Sequence, residues 1–185
     1  MARRFARMNP GSAPLGPAYS VVPSGGMCLS AFVVLSPPGE PKRVLVGRVA
    51  PDPRWEEIGA LDPERAARFA NHWMLPATQL LLFESPGEAA RRIGRELLGL
   101  ELTDLSGPQV FSEAYRRPES TAEDPHWDLH FVFRGTGPRT PPAHPLWREL
   151  TYLSVGETDR AGFARNHGDV LELAGWVPRD PPHRS

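Results

Sequence analysis

Residues 73–100, WMLPATQLLLFESPGEAARRIGRELLGL, hold the strongest local structural signals in the chain. Ser85 is followed by Pro86 and, three positions after the serine, by Glu88. A serine N-cap, a proline at the first helical position and a glutamate at the third form a capping box. The pattern therefore predicts a helix that begins after Ser85 and ends at Gly99, because glycine commonly terminates helices.

Two stripes with helical spacing run along this predicted helix. One stripe is apolar and contains Ile93 and Leu97, while a charged stripe of Glu88, Arg92 and Glu96 runs beside it. Taken alone, this is an ordinary amphipathic helix with intrahelical ion pairs. Because the charged stripe adjoins Ile93 and Leu97, we expect these two residues to border a solvated groove.

The same stretch resembles the Nudix hydrolase signature, G-x5-E-x7-R-E-U-x-E-E-x-G-U, where U is a bulky aliphatic residue and W-x-L-P-G usually precedes. The positions that match the lead-in and the signature are Trp73, Leu75, Pro76, Glu84, Arg92, Glu96, Gly99 and Leu100. The positions that depart from it are Ala77 and Thr78 for the glycine pair, Ile93 and Leu97 for glutamates, and Gly94 for the aliphatic residue. By this resemblance, residues 78–100 correspond to a degenerate Nudix box.

The resemblance implies an α/β/α sandwich with a mixed β-sheet. It also implies Mg²⁺- or Mn²⁺-assisted attack of water on a diphosphate that links a nucleoside to another moiety. By that resemblance Glu96 and Arg92 are the catalytic residues, and Glu96 and Glu84 are the metal residues. Glu84 supports the metal or the loop, and Arg92 ties the helix to the loop. The expected partner is a phosphorylated small molecule.

Two functions stay open because Ile93 and Leu97 stand where the family has glutamates. An active hydrolase needs replacement carboxylates near Glu96, for which Glu84, Glu88 and Glu113 are candidates. Without them, the chain is a catalytically inactive Nudix module that binds a nucleotide-like ligand or a protein partner, because a fold does not carry its activity with it.

A second motif, His126-x-Asp128-x-His130, falls in a stretch that alternates between apolar and polar residues. Spacing of two on a strand places all three side chains on one face, where they can hold a metal or position a proton. The alternative is the polar outer face of a half-buried strand. If the fold is Nudix-like, this strand lies near the substrate groove, and His130 is a candidate substrate contact.

The five tryptophans divide into two groups. Trp73 is a candidate substrate contact, because it and Trp55 are placed to stack on a base. The other three, Trp127, Trp147 and Trp176, are expected to pack within the protein.

Further elements follow from apolar runs and turn residues. Strands are expected at Met27–Ser36 and Arg43–Val49, paired as a hairpin across Pro37 and Pro38, and a short helix is expected after Asp62. The remaining predicted elements are strands at 79–83, 109–114, 127–134 and 149–154, and a helix between residues 157 and 174.

Composition limits the remaining choices. The chain has 185 residues and a net charge of −1, which argues against a nucleic-acid binder. It lacks an apolar run of about 18 residues that would span a membrane. Its single cysteine, Cys28, fits a reducing, cytoplasmic compartment. We expect a flexible arm at 1–26, one domain at 27–177 and a loose tail at 178–185, with a homodimer as the commonest default.

Overall fold

A computed structural model describes residues 7–8, 27–115, 126–154, 162–165 and 167–176, and it gives only the backbone of residues 7, 8, 114, 115 and 126. The elements in chain order are β1 (Arg7–Met8), β2 (Met27–Ser36), β3 (Arg43–Val49), α1 (Arg54–Ile58), α2 (Pro63–Phe69), β4 (Ala77–Gln79), α3 (Pro86–Ile93), a π-helical turn (Gly94–Leu98), β5 (Ser106–Tyr115), β6 (His126–Thr136), β7 (Trp147–Ser154) and α4 (His167–Leu173).

The larger sheet is built around β2. Strand β6 runs parallel to β2 in unbroken register, from Met27 opposite Trp127 to Ser36 opposite Thr136. Strand β5 is antiparallel to β6, and β1 and β4 both pair antiparallel with the other edge of β2. The sheet is therefore mixed, as the resemblance implies.

Strands β2 and β3 form where the sequence predicts them, but the predicted hairpin between them is wrong. Strand β3 pairs with β7 in a separate two-stranded sheet. The physical reason lies in the edges of β2, which are taken by β6 on one side and by β1 and β4 on the other. Much of both edges of β2 is thus occupied, and the turn that contains Pro37 and Pro38 carries the chain to the second sheet, where β3 pairs with β7.

The two faces of the larger sheet bury two apolar cores. The side chains of Ala31, Val33 and Leu35 contribute to a core shared with α3 and the π-helical turn. From the opposite face of β2, Phe32 and Val34 contribute to a core shared with α4. Helices thus cover both faces of the sheet, and the predicted α/β/α sandwich is confirmed.

The capping signals give the predicted helices. The Ser85 side chain accepts a hydrogen bond from the Glu88 backbone N–H, and the Glu88 carboxylate accepts one from the Ser85 backbone N–H at 2.9 Å. Helix α2 begins after Asp62, whose side chain accepts from the Arg65 backbone N–H at 2.9 Å. Gly99 ends the π-helical turn with a φ of 65°, a left-handed conformation that favours glycine.

Two predicted elements differ more than the others in extent. The strand expected at 79–83 lies instead at Ala77–Gln79, because Leu81 to Glu84 form a turn in which Phe83 has a φ of 66° and is 96% exposed. Of the helix expected between 157 and 174, the structure describes α4, while residues 155–161 and 166 lie outside the described residues. The predicted tail lies outside them as well, as does the predicted arm apart from β1.

In the described ranges, no helix combines the length and the apolar character that a membrane span requires.

Candidate functional site

The loop that joins β4 to α3 is held by its own carboxylate. Glu84 accepts a hydrogen bond from the Leu81 backbone N–H at 2.8 Å, and the Glu84 backbone N–H donates to the Leu81 carbonyl at 3.0 Å. The capping box at Ser85 then starts α3 directly after this turn. Glu84 is therefore fixed at the base of the helix rather than free in a flexible loop.

Arg92 joins helix, loop and strand. Its Nε donates to Glu84 Oε1 at 2.7 Å and its Nη2 donates to Glu84 Oε2 at 2.8 Å. The same Nη2 donates to the Gln79 carbonyl at 2.9 Å, at the end of β4. The two side chains of the ion pair are only 7% and 11% exposed. Such a two-point, nearly buried pair fixes the geometry of both partners.

Glu96 lies one turn further along the helix. Its Oε2 is 3.7 Å from Arg92 Nη1, and its side chain is 26% exposed. Glu96 is thus more exposed than Glu84, with which it shares the Arg92 guanidinium, while Glu88 at the start of the helix is exposed and caps Ser85.

Ile93 and Leu97 are core residues, and the expectation that they border a solvated groove is wrong. They are 1% and 0% exposed and belong to the core between α3 and the sheet. A hydrogen bond also holds the backbone of the π-helical turn, since the Trp147 indole Nε1 donates to the Leu97 carbonyl at 2.6 Å. The charged stripe beside them faces the loop and solvent, and its presence does not open a groove at the neighbouring apolar stripe.

Gly94 allows the π-helical turn to close. The Leu100 backbone N–H donates to the Gly94 carbonyl at 2.9 Å, so the chain folds back over the helix end. A Cβ at position 94 would lie 2.7 Å from the Leu100 carbonyl oxygen and 2.7 Å from Leu102 Cγ. The glycine that replaces the family's aliphatic residue therefore has a local steric reason.

The box residues do not fit a multi-carboxylate metal site. Mg²⁺ prefers octahedral oxygen coordination. Two of the three family positions carry buried aliphatic side chains, and the oxygens of Glu84 are hydrogen-bonded to Arg92 and Leu81. Across the described ranges, no three His, Cys, Asp or Glu side chains come together in a way that could hold a metal ion.

A second polar cluster lies on the opposite face of the sheet, around His130. In register, His130 lies between Ser30 of β2 and Phe111 of β5. Its Nε2 is 3.3 Å from Glu113 Oε2, and its imidazole is 3% exposed overall. The other ring nitrogen, Nδ1, is buried and has no hydrogen-bond partner among the residues that the structure describes. Glu113, which the sequence suggested as a replacement carboxylate near Glu96, pairs instead with this imidazole.

His167, at the start of α4, reaches the same cluster. The Phe32 ring lies edge-on to both imidazoles, with ring centroids 5.0 Å from His130 and 5.1 Å from His167. His167 Nδ1 accepts a hydrogen bond from the Leu75 backbone N–H at 2.9 Å. Burial lowers the pKa of His167 well below its usual 6.5, and the nearby positive charge of Arg165 lowers it further. His167 is therefore neutral, with its proton on Nε2.

The structure describes the other two residues of the His126-x-Asp128-x-His130 motif in less detail than His130. Asp128 is partly buried and lies in register with Cys28 and Glu113. The side chain of His126 lies outside the described residues. Sequence patterning missed the pairing of His130 with Glu113, because the register between β5 and β6 has no local signature in the sequence.

Two tryptophans are buried or exposed contrary to the sequence-based expectation, Trp55 and Trp127. Trp55 is 1% exposed, and its Nε1 donates to the Leu146 carbonyl at 2.9 Å, so it is a core residue and not a base-stacking surface. Trp127 is 54% exposed and belongs to none of the described core clusters, so the expectation that it packs within the protein is wrong. Trp73 is partly buried, and the Arg48 guanidinium carbon lies 4.1 Å from its ring centroid.

Comparisons with known proteins give structural matches only. No protein-family profile matches the sequence, and no curated protein matches it. Among solved structures, the MutT Nudix hydrolase of Burkholderia pseudomallei is 14% identical with a TM-score of 0.53, and the match covers 79% of this chain and 96% of that one. The MutT protein of Methanosarcina mazei Go1 is 14% identical with a TM-score of 0.55, over 82% and 94% of the two chains.

A third match is the Nudix domain of Shewanella oneidensis NrtR, whose solved structure is a complex with ADP ribose. It is 13% identical with a TM-score of 0.54, and the match covers 80% of this chain and 86% of that one. Identities at this level show the fold alone. The chain has the Nudix-like fold that the resemblance of residues 73–100 implies, and that prediction is confirmed.

Proposed function

We propose that this Nudix-fold chain binds a nucleotide-like ligand, with a heterocyclic base and a diphosphate, and does not hydrolyse it. The observation that carries the proposal is the burial of Ile93 and Leu97 at 1% and 0% exposure. A carboxylate cannot occupy such a position without a large desolvation cost. Two of the three positions that supply metal ligands in the family are thus part of the hydrophobic core.

Ion pairing within the box supports the same conclusion. In the family as the resemblance presents it, Glu84 and Arg92 support a catalytic helix. In this chain, the buried pair of Arg92 and Glu84 anchors the helix to β4 through the Gln79 carbonyl. The box retains the residues that hold the helix in place, and it has lost residues that would hold a metal. Its role here is structural.

The His130 cluster supports a ligand on the other face of the sheet. A buried nitrogen without a hydrogen-bond partner costs about 1–3 kcal/mol, and a ligand group that bonds to it recovers part of that cost. His130 Nδ1 is such an atom within the described residues. In the neutral tautomer that donates Nε2–H to Glu113, Nδ1 is an acceptor, and it suits a ring N–H or an exocyclic amine of a heterocyclic base.

Trp73 is retained as a proposed second contact with the ligand. The Arg48 guanidinium carbon lies over the Trp73 ring, 4.1 Å from the ring centroid. In one geometry, a base stacks on that face of Trp73 and displaces Arg48. In the other, a phosphate lies near Trp73 and accepts hydrogen bonds from the Arg48 guanidinium. Either geometry involves Arg48 in recognition.

ADP-ribose is the first probe, because the NrtR Nudix domain of similar fold is complexed with it. Isothermal titration of the purified chain with ADP-ribose measures the affinity directly. A panel of nucleoside triphosphates, dinucleotide polyphosphates and nucleotide sugars extends the search to related ligands. We expect at least one member of this set to bind at a single site.

Two histidine variants then test the site. His130→Asn should weaken binding by about tenfold or more, the loss expected for one buried hydrogen bond. His144→Asn changes a partly buried histidine outside the cluster and should leave the affinity within about twofold of the wild type. Thermal melts of both variants check that they are folded. Absence of binding by every probe, or equal affinity in His130→Asn and wild type, would overturn the proposal.

A further inference from the structure

A cleft of about 390 Å³ opens at the carboxyl end of β2 and β6, where Ser36 and Thr136 lie opposite each other in register. Pro37 and Pro41, in the segment between β2 and β3, also line it. Ligand pockets have volumes of about 300–1,000 Å³, so this cleft is at the small end of that range. It therefore has room for a small molecule.

The cleft is separate from the His130 cluster. Arg134, which lines the cleft, lies four residues after His130 on β6, a distance of about 13 Å along the strand. Between the two, Val132 packs into the core that β2 shares with α4. A molecule in the cleft therefore occupies a second site, distinct from the one proposed around His130.

The Arg134 guanidinium has hydrogen-bond donors that the described residues do not use. Its Nη2 donates to Gln109 Oε1 at 2.9 Å and to the Ala174 carbonyl. Its Nε is buried without a hydrogen-bond partner, and no carboxylate of the described ranges pairs with it. The Trp176 ring, whose centroid lies 3.8 Å from Arg134 Cζ, covers one face of the guanidinium. Arg134 is thus a firmly held cation that still suits an anionic oxygen.

A carboxylate lines the same cleft without contacting this cation. Asp104 lies between the π-helical turn and β5, is exposed, and accepts a hydrogen bond from the Thr103 hydroxyl at 3.2 Å. In the part of the chain that the structure describes, Asp104 forms no ion pair with Arg134 or with any other cation. The cleft therefore presents one positive and one negative group that do not neutralise each other directly.

We propose that this cleft binds a free α-amino acid as its zwitterion, with the ligand carboxylate at Arg134 and the ligand ammonium at Asp104. A molecule that carries both charges satisfies both groups, whereas an anion alone meets the Asp104 carboxylate and a cation alone meets the guanidinium. Charge-assisted hydrogen bonds of this kind are the strong ones in proteins.

The remaining lining residues suit the rest of such a ligand. The Ser36 hydroxyl is 3.5 Å from the Pro41 carbonyl, and the Ser106 hydroxyl is 3.4 Å from the Arg134 carbonyl. Both distances are long for a hydroxyl donor, so either hydroxyl can turn towards the ligand. The rings of Pro37 and Pro41 provide an apolar surface for a side chain, which favours an apolar amino acid.

Isothermal titration of the full chain with a panel of the common α-amino acids tests the proposal. At least one apolar amino acid should bind at a single site. Its N-acetyl derivative lacks the ammonium and its amide lacks the carboxylate, so each should bind at least about tenfold more weakly. Absence of binding by every amino acid would overturn the proposal. Equal binding of the N-acetyl derivative would also overturn it, because the site would then recognise an anion alone.

Two matched variants locate the site on the protein. Asp104→Asn should weaken binding of the amino acid by about tenfold or more, because it removes the charge that faces the ammonium. Glu101→Gln changes an exposed acid of the same segment outside the cleft and should leave the affinity within about twofold of the wild type. Thermal melts check that both variants are folded. Equal affinity of Asp104→Asn and wild type would contradict the proposed placement of the ammonium and overturn the proposal.

Discussion

Arg92 and Glu84 form a two-point ion pair, Nε to Oε1 at 2.7 Å and Nη2 to Oε2 at 2.8 Å, at the junction of the loop with α3. Both side chains are nearly buried, and the Gln79 carbonyl accepts a third hydrogen bond from the same guanidinium. The pair spans eight residues of sequence and connects three elements. The ion pair therefore stabilises the position of α3 relative to the loop and β4.

Arg92→Ala should destabilise the fold strongly. It leaves the Glu84 carboxylate nearly buried without its cation, and breaking such a pair typically costs about 3–5 kcal/mol. Arg91→Ala, which removes the exposed arginine beside it, should change the free energy of unfolding by less than about 0.5 kcal/mol. Urea denaturation of the two variants measures the difference. Equal stability of the two would mean that the ion pair does not hold the helix.

The double change Ile93→Glu and Leu97→Glu should unfold the domain. Restoring the family's residues at these positions places two carboxylates in the core, and each costs several kcal/mol against a total stability of about 5–15 kcal/mol. Arg95→Glu adds a carboxylate at an exposed position of the same helix and should melt close to the wild type. A double variant that folds normally and titrates with Mn²⁺ would show that a metal site persists beneath these side chains.

Gly94→Ala should also destabilise, because the new Cβ would lie 2.7 Å from the Leu100 carbonyl oxygen and force the π-helical turn to shift. Overpacking of this kind costs about 1–3 kcal/mol. Gly87→Ala in the first turn of α3 meets nothing closer than 3.9 Å and should be neutral or stabilising by up to about 1 kcal/mol. Thermal melts that rank the two variants in the opposite order would contradict the packing described for Gly94.

The stability of the protein should fall in mild acid through His167. Burial holds the pKa of His167 well below 6.5, so the unfolded chain takes up a proton near pH 6.5 that the folded chain does not. The stabilising contribution is therefore complete above pH 6.5 and decreases below it, by up to about 1.4 kcal/mol per pH unit. His167→Asn keeps an acceptor for the Leu75 N–H and removes the titration. Urea denaturation between about pH 7 and about pH 5 should show a smaller slope in the variant. Identical slopes would exclude His167 as the titrating group.

Local signals in the sequence predicted the elements that depend on neighbouring residues. Ser85 with Glu88 and Asp62 with Pro63 set the starts of two helices, because caps form within a single turn. The resemblance of residues 73–100 identified the fold. Pairing of β2 with β6 instead of β3 was not predictable in this way, since it joins residues about a hundred positions apart.

The candidate site was predictable only in part, for a related reason. A periodic pattern shows that Ile93 and Leu97 share a stripe, but not whether that stripe faces a groove or a core. The packing of this stripe against strands distant in sequence, such as β2, decides the matter. Glu113 and His130 likewise meet through strand register, which a single sequence does not encode locally.

The central claim is that the chain binds a nucleotide-like ligand without hydrolysing it. The most direct measurement titrates wild-type protein with its best ligand in excess EDTA and again with Mg²⁺ or Mn²⁺, followed by chromatography of the ligand after long incubation. The account predicts the same affinity in both buffers and intact ligand at the end. Metal-dependent cleavage of the diphosphate, lost in Glu96→Gln, would contradict it and would make Glu96 a catalytic residue.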